Sequence, residues 1–232
     1  MNAGRTVRER VRAELTREIK AEARRQLATA GTGGLSLRAV ARELGMVSSA
    51  LYRYFPSRDE LLTALIIDAY DALGVAVEEA DADVPRADVR ARWRTCCHAV
   101  RGWARAQPHE YALIFGSPVP GYQAPADTIR AASRVPLMLI GILRDAHAAG
   151  TLAAPDHAPL TPVLADQVFQ LGQAIAPELP AAVLVNAIMA WTQLFGMVSF
   201  ELFGQYVGSV DPTDEFFAVA VDRMADLVGL PH

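Results

Sequence analysis

A chain of 232 residues, 52% apolar and only 21% charged, has ample material for a core, as one large domain or as a small module joined to a larger one. Its two cysteines, Cys96 and Cys97, are adjacent, which argues against a disulfide framework and for a cytoplasmic location. The net charge of −4 speaks against a nucleic-acid binder until it is divided: residues 1–62 hold 12 basic and 7 acidic side chains and residues 63–232 the other 10 and 19, so a basic front precedes an acidic body.

Ala, Leu and Val dominate, and long runs lack Pro and Gly, which predicts an all-α protein. Residues 6–29 place Val11, Leu15, Ile19, Ala23 and Leu27 four apart, one face of a helix. Glu14, Glu18 and Glu22 interleave there with Arg10, Arg17 and Arg25. The start of the chain is charged and helix-like, unlike a signal peptide. Gly31-Thr32-Gly33-Gly34 ends the helix. Ser36 is placed to cap a short helix over 37–44, Gly45 to stop it, and a second short helix follows over 48–55. Beyond Phe55-Pro56, Ser57 and Glu60 form a capping box for a helix over 58–80. Leu61, Leu62, Leu65, Ile66, Ala69 and Leu73 lie on one side of it.

A turn over 81–86 leads to a helix over 87–106, broken at Gln107-Pro108, then a short helix over 109–115 and a loop to 125. A helix over 127–149, kinked at Pro136, a Pro-rich loop over 150–161 and a helix over 162–175 follow. Two helices, 181–206 and 213–228, close the chain. Between Glu178 and Glu201 no residue is charged, a length that would span a bilayer. Pro180, Asn186, Thr192, Gln193 and Ser199 interrupt it and no basic cluster flanks it, so a helix buried on most sides is expected, and no membrane partner. No strand pattern and no internal repeat appears.

Residues 10–55 combine three helices with two tight breaks, the geometry of a helix-turn-helix. Leu37, Val40, Ala41 and Leu44 form the inner face of the first short helix, and Val47, Leu51 and Phe55 that of the second. The outer face of the second carries Ser48, Ser49, Tyr52 and Arg53, groups that reach base edges and phosphates. The run from Leu35 to Leu62, with Val40-Ala41, Gly45, Leu51-Tyr52 and Tyr54-Phe55 at their spacings, closely resembles the DNA-binding segment of the TetR family of regulators. The segment Trp103, Pro108-His109-Glu110-Tyr111 and Phe115-Gly116-Ser117-Pro118 is similar to the C-terminal domain of an actinobacterial-type subgroup.

The resemblance implies that Tyr52 and Arg58 bond phosphate and that Arg38 reaches the backbone. It lays Ser48, Ser49, Ala50 and Arg53 against the major groove, with Tyr54 in the same surface. Arg53 suits bidentate contact with guanine, phosphate contact being its alternative; for Tyr52 the alternative is a packed core ring. Val47 departs from the Ser or Thr common in the family and cannot cap, leaving Ser48 or Ser49 to do so. Arg5, Arg8, Arg10 and Arg12 form either a DNA-reaching arm or a solvated helix end.

The division expected is a helix-turn-helix domain over 1–58 and a larger helical ligand-binding and dimerisation domain over 59–232. Leu184, Ile188, Trp191, Phe195, Val198 and Leu202, with Phe217, Val221 and Met224, are the candidates for a homodimer interface, an internal core being the alternative. Trp93, His98, Trp103, Tyr111, Phe115, Tyr122, Met138 and Phe169 are the candidates for a small-molecule pocket, plain core being the alternative. Cys96 and Cys97 are expected to be buried rather than thiol sensors, and with His98 cannot converge on one metal ion. No nucleophile elbow, phosphate loop, dinucleotide fingerprint or paired-His metal motif occurs, so neither an enzyme nor a cofactor is expected. The expected function is a repressor released from a palindromic double-stranded DNA operator by an apolar or aromatic effector. The alternative is a DNA-binding regulator controlled by a partner protein or by its own abundance.

Overall fold

The computed structural model describes residues 3–153 and 159–232, and the side chains from Val7 onward within them except that of Thr32. The Arg5 side chain and residues 154–158 of the Pro-rich loop lie outside the described residues. All regular structure among the described residues is helical, as the composition implies. The chain folds as two compact units. One comprises residues 1–70 and 109–129, the other residues 71–108 and 130–232. The packing therefore does not divide at residue 58.

The first unit, the head, is built from α1 (Ala3–Ala30), α2 (Leu37–Glu43), α3 (Ser48–Leu51) and the first half of α4 (Arg58–Ala82). Its core joins Ile19, Ala23 and Leu27 of α1 to Leu37, Val40 and Ala41 of α2, to Leu51 and Phe55, and to Leu61, Leu62, Leu65 and Ile66 of α4. Those four α4 residues are why the unit extends past 58. The Ser36 hydroxyl accepts from the Ala39 N–H at 3.4 Å and caps α2. Gly45, at φ +63°, makes the tight turn after it. The Ser57 hydroxyl accepts from the Glu60 N–H at 3.1 Å at the start of α4. The head also takes in α6 (Pro108–Phe115) from His109 onward and the loop beyond it. Val119 is buried in the head core, with Leu113, Ile114 and Tyr122 against it. Arg24 of α1 pairs with both Asp68 and Glu110, and the Tyr122 hydroxyl lies 2.9 Å from Thr63 Oγ1.

The second unit, the body, contains α5 (Val89–Ala106), α7 (Asp127–Ala132) from Arg130 on, α8 (Arg134–Ala148), α9 (Pro162–Ile175), α10 (Ala181–Leu202) and α11 (Thr213–Leu227). Helix α5 packs on α8, α10 and α11, and α9 on α10. A Cβ at Gly172 would stand 2.9 Å from the Leu184 side chain, so a glycine is what lets α9 approach α10 there. Helix 127–149 is two helices broken at Ser133, not one kinked at Pro136. Pro136 falls in the first turn of α8, where the missing N–H costs no helical bond. Helix α10 stops at Leu202 and passes into turns.

Helix α10 is the one helix among the described residues long and apolar enough to cross a membrane. It is buried on one side only: Val183, Leu184, Ala190, Leu194 and Val198 face the core, while Ile188, Met189, Trp191 and Phe200 are exposed. Its Asn186 is buried too, and donates through Nδ2 to the Leu227 carbonyl. That bond ties it into the helical bundle.

Three arginines of α5 are buried and each is matched by acids. Arg90 meets Asp226, Arg92 meets Asp81 and Asp145, and Arg101 meets Glu201 and Asp214. Cys96 and Cys97 lie between them, both fully buried. Burial, reinforced by the Asp81 carboxylate, pushes the Cys96 thiol up to about 12, and burial pushes Cys97 well above its ordinary value. Thiolate chemistry at neutral pH is thereby suppressed, and both side chains pack as part of the core. A thiol-reactive disulfide reagent at pH 8 should titrate neither cysteine in the native protein and both after unfolding.

Candidate nucleic-acid interface

The recognition segment is shorter than its sequence suggests. Instead of a helix over 48–55, α3 makes a single turn from Ser48 to Leu51, followed by tight turns in which Tyr54 N–H donates to Leu51 O at 2.8 Å and Phe55 N–H to the same oxygen at 3.1 Å. Val47 is the N-cap and supplies no side-chain bond. It does not join the inner face either, being 70% exposed. Nor do Ser48 and Ser49 take over the cap, because the helix begins with them. The segment is held by Leu51 and Phe55, both buried. Val47→Ser should therefore stabilise the head by about 1 kcal/mol, since an exposed apolar residue is exchanged for a cap; thermal unfolding checks this.

The outward groups are arranged as follows. Arg38, Ser49 and Arg53 are exposed, while Ser48 and Ala50 are half-buried. Tyr52 is 41% exposed, so it is not a core ring. Arg38, Tyr52, Ser57 and Arg58 line one shallow depression, floored by Leu35 and Leu37. Two cations and two hydroxyls from α2, the end of α3 and the start of α4 thus meet in one concave patch, suited to a phosphate. Tyr54 is half-buried against the head core, and the Arg12 guanidinium stands 5.3 Å from its ring centroid. That contact brings one arginine of the expected arm onto the same side chain.

The residues expected to line a pocket are divided between the two units. Tyr111, Phe115 and Tyr122 belong to the head, where the Tyr111 and Phe115 rings are 5.0 Å apart and Phe115 meets Tyr70 at 5.9 Å. His98 is exposed beside the Phe217 ring. Partial desolvation of the ring and the Arg101 charge lower its pKa. Phe169 is 59% exposed. Trp103 and Met138 are half-buried and stand outside the cavity described next. That cavity, of about 160 Å³, lies in the body. Of the eight, Trp93 alone lines it, with Pro136, Leu139 and Ile140 of α8, Leu171 and Ile175 of α9, and Leu184, Ala187, Ile188 and Trp191 of α10. Sequence reading missed it because most of its walls are aliphatic residues that look like ordinary core.

The expected dimer residues are redistributed as well. Leu184, Phe195, Val198, Phe217, Val221 and Met224 are buried within the single chain and have no surface to offer a partner. Ile188 and Trp191 are exposed at the cavity rim, and Leu202 is half-buried. Other outward apolar residues of these helices are Met189 and Phe200 on α10 and Phe216 and Val219 on α11.

Residues 19–65 match the family profile of bacterial regulatory proteins of the tetR family, and residues 93–224 that of a tetracyclin repressor-like C-terminal domain. HTH-type transcriptional regulators Rv1816 of Mycobacterium tuberculosis and Mb1846 of Mycobacterium bovis are each 42% identical to this chain over 205 residues, 84% of it and 83% of theirs. Among solved structures, the regulatory protein SCO4313 superposes with a TM-score of 0.73 at 35% identity over 94% of this chain and 98% of its own. A protein of unknown function from Rhodococcus sp. RHA1 does so with a TM-score of 0.70 at 26% identity over 94% and 96%.

Proposed function

Because the chain belongs to the TetR family of DNA-binding transcriptional regulators, we propose that it is a cytoplasmic homodimeric repressor, released from a palindromic operator by a small apolar effector. The observation that carries the DNA-binding part is the patch where Arg38, Tyr52, Ser57 and Arg58 converge beside the exposed Ser49 and Arg53. In this reading Arg38, Tyr52 and Arg58 hold phosphates and fix the register. Ser48, Ser49, Ala50 and Arg53 face the major groove, with Arg53 reading guanine, and Tyr54 belongs to the same DNA-facing surface.

Two heads must enter successive major grooves about 34 Å apart, which needs two chains. The exposed apolar residues Met189, Phe200, Phe216 and Val219 of α10 and α11 are the surface proposed to join them. The cavity in the body favours control by a small molecule over control by a partner protein or by abundance. An effector acts by binding the DNA-free arrangement more tightly than the DNA-bound one.

Fluorescence anisotropy on DNA from upstream of the protein's own gene, against scrambled DNA and at two salt concentrations, tests this. Tight, salt-sensitive binding to the native fragment, weakened by Tyr52→Phe and about tenfold or more by Arg53→Ala, is the expected outcome. Equal weak binding to both DNAs would overturn the assignment of this surface to that operator.

A further inference from the structure

The recognition segment carries a side chain for which the fold has no use. Val47 is more exposed than any other large apolar side chain among the described residues of the head. It stands at the N-cap of α3 and makes no capping bond there. Its neighbours each have a place: Met46 packs against the head core, Leu51 is buried in it, and Tyr52 opens onto the phosphate patch.

The position is firmly held all the same. On one side the Met46 N–H donates to the Ala41 carbonyl at 2.8 Å, and on the other the Val47 carbonyl accepts from the Ala50 N–H at 2.9 Å. The backbone at Val47 is extended, with φ −70° and ψ 137°. A β-branched side chain has few rotamers, so its two methyl groups project in a set direction with little freedom left to lose. Val47 directly precedes Ser48 and Ser49 of α3, and the first residues of a recognition helix are the ones that meet base edges.

The valine side chain neither donates nor accepts a hydrogen bond. Against an adenine, guanine or cytosine edge it strips water from polar atoms and replaces none of their bonds. Thymine alone carries an apolar group in the major groove, its 5-methyl. We infer that Val47 reads the 5-methyl of one thymine in each half of the operator, an assignment that rests on the proposed placement of this face in the major groove. The isopropyl group that the free head leaves in water is covered in the complex.

Deoxyuridine pairs as thymine does and lacks only that methyl. The stretch of upstream DNA that the full chain protects from nuclease is remade with deoxyuridine for thymine at one symmetric pair of positions at a time, and affinities are read by fluorescence anisotropy. At one such pair the native protein should bind about tenfold or more weaker, roughly fourfold for each methyl group no longer covered. Val47→Ala should bind the thymine and deoxyuridine forms of that pair alike, and with the salt dependence of the native protein, because no phosphate contact is touched. Val47→Ser should do the same, since the cap it gains acts equally on both DNAs and drops out of the comparison. If no deoxyuridine position weakens the native protein, or if the loss persists undiminished in Val47→Ala, the thymine assignment is overturned, while a loss of affinity in Arg53→Ala leaves the placement of the face standing. If the native protein does not prefer the upstream DNA to scrambled DNA, that placement on this operator falls, and the thymine assignment with it.

Discussion

Arg92→Met is expected to cost the fold about 3–5 kcal/mol, the penalty for removing one partner of a buried ion pair. The Arg92 side chain is 6% exposed and that of Asp81 is 11% exposed, and they meet through two hydrogen bonds of 2.9 and 2.7 Å. A third bond, at 2.7 Å, reaches Asp145. With the guanidinium gone, Asp81 remains a nearly buried carboxylate with the Cys96 thiol 3.8 Å away. The melting temperature should fall by about 10 °C. Arg92→Met combined with Asp81→Leu should recover most of the loss, because an apolar pair of similar volume stabilises about as well as the ion pair. A single variant as stable as the native protein would show that the pair is solvated and without consequence.

The same cluster gives an acid dependence. Burial works to raise Asp145, but hydrogen bonds from Arg92 and Arg86 outweigh it and hold the carboxyl below its ordinary value of 3.8. Its stabilising contribution is therefore complete above that value and is lost as the pH falls below it toward the depressed one. In Arg92→Met this acid-sensitive part should shrink, since one of the two donors is missing. Chemical denaturation across pH 2–6 separates the two proteins.

Leu51→Ala should cost the head about 2–5 kcal/mol, and DNA affinity more than overall folding. Helix α3 is four residues long and uncapped, so its position depends on two anchors, Leu51 at zero exposure and Phe55. When an anchor is lost, the turn bearing Ser49, Tyr52 and Arg53 is docked for only part of the time. The apparent affinity falls by that fraction, and a shortfall of about 2.7 kcal/mol in docking weakens binding about a hundredfold. Circular dichroism should scarcely change, since the long helices elsewhere supply almost all the signal. On DNA without the thymine methyl read by Val47, adding Val47→Ser should restore a few-fold in affinity by capping the turn. Unchanged affinity in Leu51→Ala would show that α3 is held by something other than its buried face.

What could be read from the residues follows from how local the governing physics is. The inner face of α4, that of α1 from Ile19 to Leu27, the Ser36 and Ser57 caps and the turn at Gly45 depend on neighbours within a few positions, and the sequence carries them; Val11, on the same expected face of α1, is half exposed and Leu15 only partly buried. The length of α3 does not, because the tight turns at 52–55 reuse residues with ordinary helical propensity. Tyr111, Phe115 and Tyr122 have the spacing of a body helix and its loop. They lie in the head because the chain returns there, and no local pattern encodes a return. Helix α10 is apolar on both sides, so periodicity could not tell the face packed in its own core, with Leu184 and Val198, from the open one with Met189 and Phe200. The cavity was hidden for a related reason: aliphatic residues lining a void and aliphatic residues filling one have the same sequence signature.

The return of residues 109–129 to the head also sets a schedule for biosynthesis. The basic front emerges from the ribosome first, yet Val119 and Tyr122, which complete its packing, follow more than fifty residues after Ile66. At roughly 5–20 residues per second the unfinished head waits several seconds with apolar surface uncovered. Over that interval the nascent head carries apolar surface that only the later segment covers. For the same reason the head is not a portable cassette: cut after residue 70, it would leave its closing segment behind in the other half of the gene.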